Sequence, residues 1–165
     1  MRTALQYLQQ RARTEREMRS KLESKGFDAE VVSYILSRLY ATDLLDDARF
    51  AAEWVQARSH KALGARRIRQ ELRAKGVPDD VADNALSALL EVDGFDATDT
   101  DGMDAAVNTS RSSAVAYAQR GLRRLNGQPD DVVKRKLTES LVRRGYSFSD
   151  ARAAVLTAIN PADRE

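Results

Sequence analysis

Three glycines, Gly26, Gly76 and Gly145, give this chain its frame, because basic residues recur at fixed distances before each of them. Ten positions before stand Arg16, Arg66 and Arg135, and one position before stand Lys25, Lys75 and Arg144. Seven positions before, two copies carry Arg19 and Arg69, and the third has Thr138. Arg66, Arg69 and Arg73 fall at i, i+3 and i+7, one stripe of a helix turned away from Ile68 and Leu72. Guanidinium groups bind carboxylate and phosphate in bidentate fashion, so a recurring arginine surface is suited to an anionic partner. A solvated face held by intrahelical pairs such as Arg67–Glu71 is the competing explanation. Recurrence in register and the excess of arginine over lysine on these helices argue against it. The candidate partner-binding residues are therefore Arg16, Arg19, Arg58, Arg66, Arg67, Arg69, Arg73, Arg123, Arg124, Arg135, Lys136, Arg143 and Arg144.

Other chemistry has little to build on. The sequence has no cysteine and a single histidine, His60, which leaves no thiolate nucleophile and no multi-histidine metal site. His60 reads as a solvated loop side chain. No glycine belongs to a phosphate-loop or dinucleotide fingerprint. Asp46-Asp47 suits a helix N-terminus better than a metal, and Asp93, Asp96, Asp99, Asp101 and Asp104 lack the spacing of a calcium loop. The reading is a non-enzyme without metal or cofactor.

The elements that position the arginines come from a block written three times: Met18-x-x-x-Leu22-x-x-x-Gly26, Ile68-x-x-x-Leu72-x-x-x-Gly76 and Leu137-x-x-x-Leu141-x-x-x-Gly145. A bulky residue follows each glycine (Phe27, Val77, Tyr146). If each glycine ends a helix in the left-handed conformation, those residues reach Leu22, Leu72 and Leu141 in a Schellman cap. A period of about 50 residues marks stacked supersecondary units. Each unit reads as three helices. In the first, Ala4, Leu5, Leu8 and Ala12 line an opening helix, and Thr14-x-x-Glu17 is a capping box for the next. Asp28 caps a third helix with Val31, Ile35, Leu36 and Leu39 inward.

In the second unit, Phe50, Ala51, Trp54 and Val55 form the first stripe, Gly64 takes the N-cap place of Thr14, and Val81, Ala85, Leu86 and Leu89 face inward. In the third, Val115, Ala118, Leu122 and Leu125 precede Val133, Leu137 and Leu141. Ser147-x-x-Asp150 then caps a helix with Ala151, Val155, Leu156 and Ile159, and Pro161 closes it.

The fold class is thus all-α, three tandem three-helix repeats at 1–44, 45–90 and 111–165. Residues 91–110 read as a flexible acidic linker with six acids and no base. The net charge of +2 conceals this segregation, since the remaining residues carry +8. A basic body with one acidic strap fits an anionic partner. The first residues lack the apolar core of a signal peptide, and no run reaches membrane-spanning length, so a soluble cytoplasmic protein with no membrane contact is expected.

The second repeat carries a more specific pattern: Asp46-Asp47-x-Arg49-Phe50-Ala51-x-x-Trp54-Val55-x-x-Arg58, then Gly64-x-x-Arg67-Ile68-x-x-Glu71-Leu72-x-x-Lys75-Gly76. Together with Ala4 to Arg11, Glu17-Met18, Arg123-Arg124-Leu125 and Arg143-Arg144-Gly145-Tyr146, it resembles the RecX family, bacterial regulators of the RecA recombinase. The likeness covers nearly the whole chain outside the linker. It implies an elongated, curved array of three-helix repeats that acts as a monomer. It further implies binding to the RecA–DNA nucleoprotein filament, with restraint of filament growth, ATP hydrolysis, strand exchange and co-protease activity. Direct contact with the DNA backbone is a second implied interaction. Two features depart from the family pattern: the loop His60-Lys61-Ala62-Leu63 is less basic than in many members, and the acidic stretch is long. A helix-turn-helix-like DNA-binding protein is the alternative. The acids near the starts of the third helices, Glu30, Asp79 and Asp83, weigh against base reading.

Overall fold

The computed structural model describes residues 1–91 and 104–160, with side chains described for 1–88 and 112–160. Among the described residues the chain is all-helical, with nine helices and no strand. They are α1 (Arg2–Gln10), α2 (Glu15–Glu23), α3 (Ala29–Ala41), α4 (Asp47–Ser59), α5 (Ala65–Lys75), α6 (Asp79–Glu91), α7 (Asp104–Arg124), α8 (Asp130–Arg143) and α9 (Phe148–Ile159). Three tandem three-helix repeats account for all nine. Most of the acidic stretch and Pro161 lie outside the described residues, and the Leu89 side chain lies outside the described side chains. Its last part is corrected: α7 begins at Asp104, so residues 104–110 are helical, not linker.

Contacts divide the chain into two compact units that do not follow the repeat boundaries. One comprises Met1–Trp54 and Arg69–Ala85, the other Val55–Ile68 and Leu86–Glu165. The first unit holds a core of Ala4, Met18, Leu22, Val32, Ile35, Leu36, Leu39 and Leu45, with Tyr7, Leu8 and Phe27 against it. The second centres on Ala114, Val115, Ala118, Val133, Leu137, Leu141, Tyr146, Ala151, Ala154, Val155 and Ala158. Fully burying an aliphatic side chain is worth about 1.5–3 kcal/mol. A few leucines per repeat therefore set most of its stability.

All three glycine caps form as the spacing requires. Gly26, Gly76 and Gly145 sit at φ of +83°, +85° and +94°. The residue after each donates its N–H to the expected leucine carbonyl: Phe27 to Leu22 (3.3 Å), Val77 to Leu72 (3.1 Å), Tyr146 to Leu141 (3.2 Å). The glycine amides complete the motif by donating to Glu23, Arg73 and Val142.

Other local expectations need correction. Thr14 caps α2, its Oγ1 accepting the Glu17 N–H at 3.2 Å, but Glu17 does not close the box; its carboxylate pairs with Arg11 and Lys75. Asp28 stands at the N-cap of α3 without a side-chain bond. Asp46 does cap α4, accepting the Arg49 N–H at 2.9 Å, and Ser147 caps α9 through the Asp150 N–H at 3.0 Å.

In α3 the buried residue is Val32, while Val31 is 43% exposed. In α9, Ala154 and Ala158 are buried and Leu156 is 45% exposed. In α6, Ala82 is buried and Val81 only half so. Leu5 is exposed, and Ala12 is an exposed residue beyond the end of α1. The buried residues of α3 and α9 share one register, i, i+3, i+4 and i+7, and in α6 and α9 small alanines are buried where the sequence reading placed larger neighbours.

Candidate partner-binding surface

The arginines singled out by spacing divide into those held by acids of the chain and those that are not. In the first unit, Arg19 pairs with Glu15 at 2.7 Å, one turn away on α2. Arg69 pairs with Asp83 at 2.6 Å. Arg73 forms a two-pronged pair with Asp79, at 3.0 Å from Nε and 2.8 Å from Nη2. Asp79 holds the Arg73 guanidinium above its ordinary pKa, and Arg73 in turn holds the Asp79 carboxyl below the usual carboxylate range. The acids of α6 are four residues apart, as are the arginines of α5, so two rungs form across the Gly76 turn. Two members of the Arg66–Arg69–Arg73 stripe are therefore already neutralised locally. The sequence signal for this was present, since Asp79 and Asp83 carry the matching spacing. Arg16 is exposed at its end, but its stem lies across Gly76, where a Cβ would collide with it.

In the second unit, Arg66, Arg123, Arg124, Arg135 and Arg143 are exposed and hold no ion pair among the described residues. Arg123 and Arg124 occupy the last turn of α7, and Arg143 that of α8, where positive charge is favoured by the helix dipole. Lys136 donates to Gln128 Oε1 at 2.9 Å. Arg58 is half-buried, and the backbone of Arg67 lies against Gly145. Arg144 is turned inward: it donates to the Lys61 carbonyl at 2.8 Å and covers the Tyr117 ring at 4.2 Å.

A further cluster in the first unit joins residues that spacing alone did not connect. Lys75 Nζ lies 3.0 Å from Glu17 and 4.4 Å from the centre of the Trp54 ring, which stacks on Phe50 at 5.7 Å. Trp54 Nε1 donates to Glu71 at 3.1 Å. Thr14 Oγ1, fully buried, donates to the Lys75 carbonyl at 2.6 Å. Burial pushes the Glu17 carboxyl up, but its bonds to Arg11 and Lys75 outweigh this and leave it below its ordinary value. Among the described residues no group of three His, Asp or Glu side chains is placed to hold a metal, and no helix is long and apolar enough to cross a membrane.

Fold and surface together define a class: an all-helical repeat protein whose recurring polar feature is exposed arginine. Comparison with known proteins gives the family. The family profile described as RecX, first three-helix domain, matches residues 1–39, and that described as RecX, second three-helix domain, matches residues 46–86. The Regulatory protein RecX of Mycobacterium avium (strain 104) is 36% identical over 163 residues, covering 98% of this chain and 84% of that one. Its counterpart in Mycobacterium ulcerans (strain Agy99) is 36% identical, covering 94% and 82%. The crystal structure of RecX from Lactobacillus salivarius superposes with a TM-score of 0.79 at 23% identity, over 96% of this chain and 93% of that one. A second RecX crystal structure gives 0.71 at 28% identity, over 91% and 68%. The chain belongs to the RecX family.

Proposed function

We propose that this chain is a non-enzymatic, monomeric modulator of the RecA recombinase. It docks on the RecA–DNA filament in the cytoplasm and restrains filament growth, ATP hydrolysis, strand exchange and co-protease activity. Family membership supports the partner. The observation that carries the contact surface is the set of exposed arginines in the second unit that hold no ion pair among the described residues: Arg66, Arg123, Arg124, Arg135 and Arg143. An arginine without a local carboxylate keeps its full field for an incoming anion, whether acidic protein surface or phosphate, whereas Arg69 and Arg73 must first exchange partners. Sequence reading of bases is the weaker alternative, because the first turns of α3, α6 and α9 carry Glu30, Asp79, Asp80 and Asp150.

The test is ATP hydrolysis by RecA on single-stranded DNA with and without this protein. Suppression at substoichiometric amounts is expected. An unchanged rate, with tight binding to bare duplex DNA, would favour the DNA-binding alternative.

A further inference from the structure

Arg144 was grouped by sequence with the partner-binding arginines, but its surroundings in the second unit give it different work. Its guanidinium Nη1 donates to the Lys61 carbonyl at 2.8 Å and reaches the Ala62 carbonyl at 3.4 Å. Its own carbonyl accepts the Gly64 N–H at 2.9 Å. One residue therefore grips the loop 60–64 from both its side chain and its backbone. The face of the guanidinium rests on Tyr117, whose hydroxyl is held by Ser140 at 2.8 Å. Hydrogen bonding to Ser140 and the nearby Arg144 charge both lower the Tyr117 pKa, while burial opposes them.

The loop itself is shaped to be held. Ala62 sits at φ +52°, in the left-handed region that a side chain disfavours, and it is only 2% exposed. Gly64 has no room for a side chain: a Cβ there would lie 2.5 Å from the carbonyl carbon and oxygen of Gly145. Backbone thus meets backbone at the glycine cap of α8.

The same position in register does the same work in the first unit. Lys75, one residue before Gly76, accepts the Thr14 hydroxyl at its carbonyl, pairs with Glu17 and lies over Trp54. Thr14 and Gly64 each stand twelve residues before their own cap glycine. In one unit a side-chain hydroxyl docks on the base before the glycine, and in the other a backbone amide does.

We infer that the residue before the cap glycine is an assembly position, and that Arg144 locks the loop 60–64 of the second repeat onto the cap of the third. Arginine is required because one group must bond carbonyls at its edge while its flat face covers Tyr117; an ammonium has no such plane. Arg144 is a positioning residue, not a partner contact.

Amide exchange measured by NMR on the full chain tests this without any partner, so it stands apart from the function proposed above. In Arg144→Lys the Gly64 amide should exchange at least tenfold faster, while amides of residues 137–141 in α8 keep their rates. Ala62→Gly should slow Gly64 exchange several-fold by removing the left-handed strain. If α8 amides also accelerate in Arg144→Lys, Tyr117→Leu supplies the decision by the same criterion, since it removes the stacking face and keeps an apolar side chain. Unchanged Gly64 exchange in Arg144→Lys with α8 intact, or in Tyr117→Leu, overturns the assignment; faster exchange in Ala62→Gly overturns the strain argument.

Discussion

Substituting alanine at each cap glycine should give three different losses of stability, because the surroundings differ while the backbone conformation does not. All three sit near φ +85° to +94° or just below, so each alanine carries a left-handed cost of about 1–2 kcal/mol. At Gly26 a Cβ meets nothing within 4 Å, and the cost stops there. At Gly76 a Cβ collides with the stem of Arg16: Cγ and Cδ can swing aside, but the Arg16 Cβ, 2.5 Å away, moves only with α2, for about 1 kcal/mol more. At Gly145 it would fall 2.6 Å from the Arg67 backbone nitrogen, which cannot move without shifting the start of α5. That overpacking adds about 1–3 kcal/mol. Urea melts should therefore rank Gly26→Ala, Gly76→Ala and Gly145→Ala in rising order of destabilisation. A second substitution separates the causes: Arg16→Ala should relieve Gly76→Ala only in part, because it removes Cγ and Cδ but keeps the Cβ 2.5 Å away, whereas Arg67→Ala should not rescue Gly145→Ala at all. Equal losses at all three sites would show that the neighbours at Gly76 and Gly145 are misplaced and that only backbone conformation matters.

Two further outcomes follow from the titrating groups. Glu17 is held below its ordinary pKa, so its contribution is full above the unfolded value of about 4.5 and is lost as pH falls through the lower folded value. Trp54 emission, monitored below pH 4.5, should show this step in the wild type and lose it in Lys75→Met; a persisting step would place the titration elsewhere. Tyr146 buries a hydroxyl that has no hydrogen-bond partner among the described residues, and burial raises its pKa to about 12. Tyr146→Phe should therefore leave stability unchanged or raise it by up to about 1 kcal/mol in urea melts. A loss larger than that would reveal a partner for the hydroxyl.

Much of the fold was legible because the strongest signals are local. The apolar residues flanking Gly26, Gly76 and Gly145 fix the caps through backbone bonds that span only six residues. Helix identity was equally secure, but the buried face was not. In α3 two adjacent valines, Val31 and Val32, offered equal apolar bulk and only packing decided between them, while in α9 the larger Leu156 drew the assignment although the alanines in register are the buried residues. The early start of α7 was hidden because aspartate and glycine precede residue 104 and the poor helix formers Asn108, Thr109 and Ser110 follow it. The arginine surface was visible as charge but not as partnership. Spacing places Arg69 and Arg73 on one stripe, and only the Gly76 turn brings Asp83 and Asp79 opposite them. The Lys75–Glu17 and Arg144–Lys61 contacts, 58 and 83 residues apart, leave no local trace at all.

The central proposal is that this protein restrains RecA through exposed arginines that hold no ion pair among the described residues. The most direct measurement compares two charge variants in the RecA ATPase assay on single-stranded DNA, over a range of salt. The first is Arg123→Ala, Arg124→Ala, Arg135→Ala and Arg143→Ala together; the second is Arg69→Ala with Arg73→Ala. Neither touches a buried side chain, and the exposed pairs lost in the second are worth about 0.2–1 kcal/mol each, so both should fold. The account predicts at least tenfold weaker inhibition by the first, with a shallower salt dependence, and only a small change for the second. Full inhibition by a folded first variant, or loss confined to the second, would contradict it.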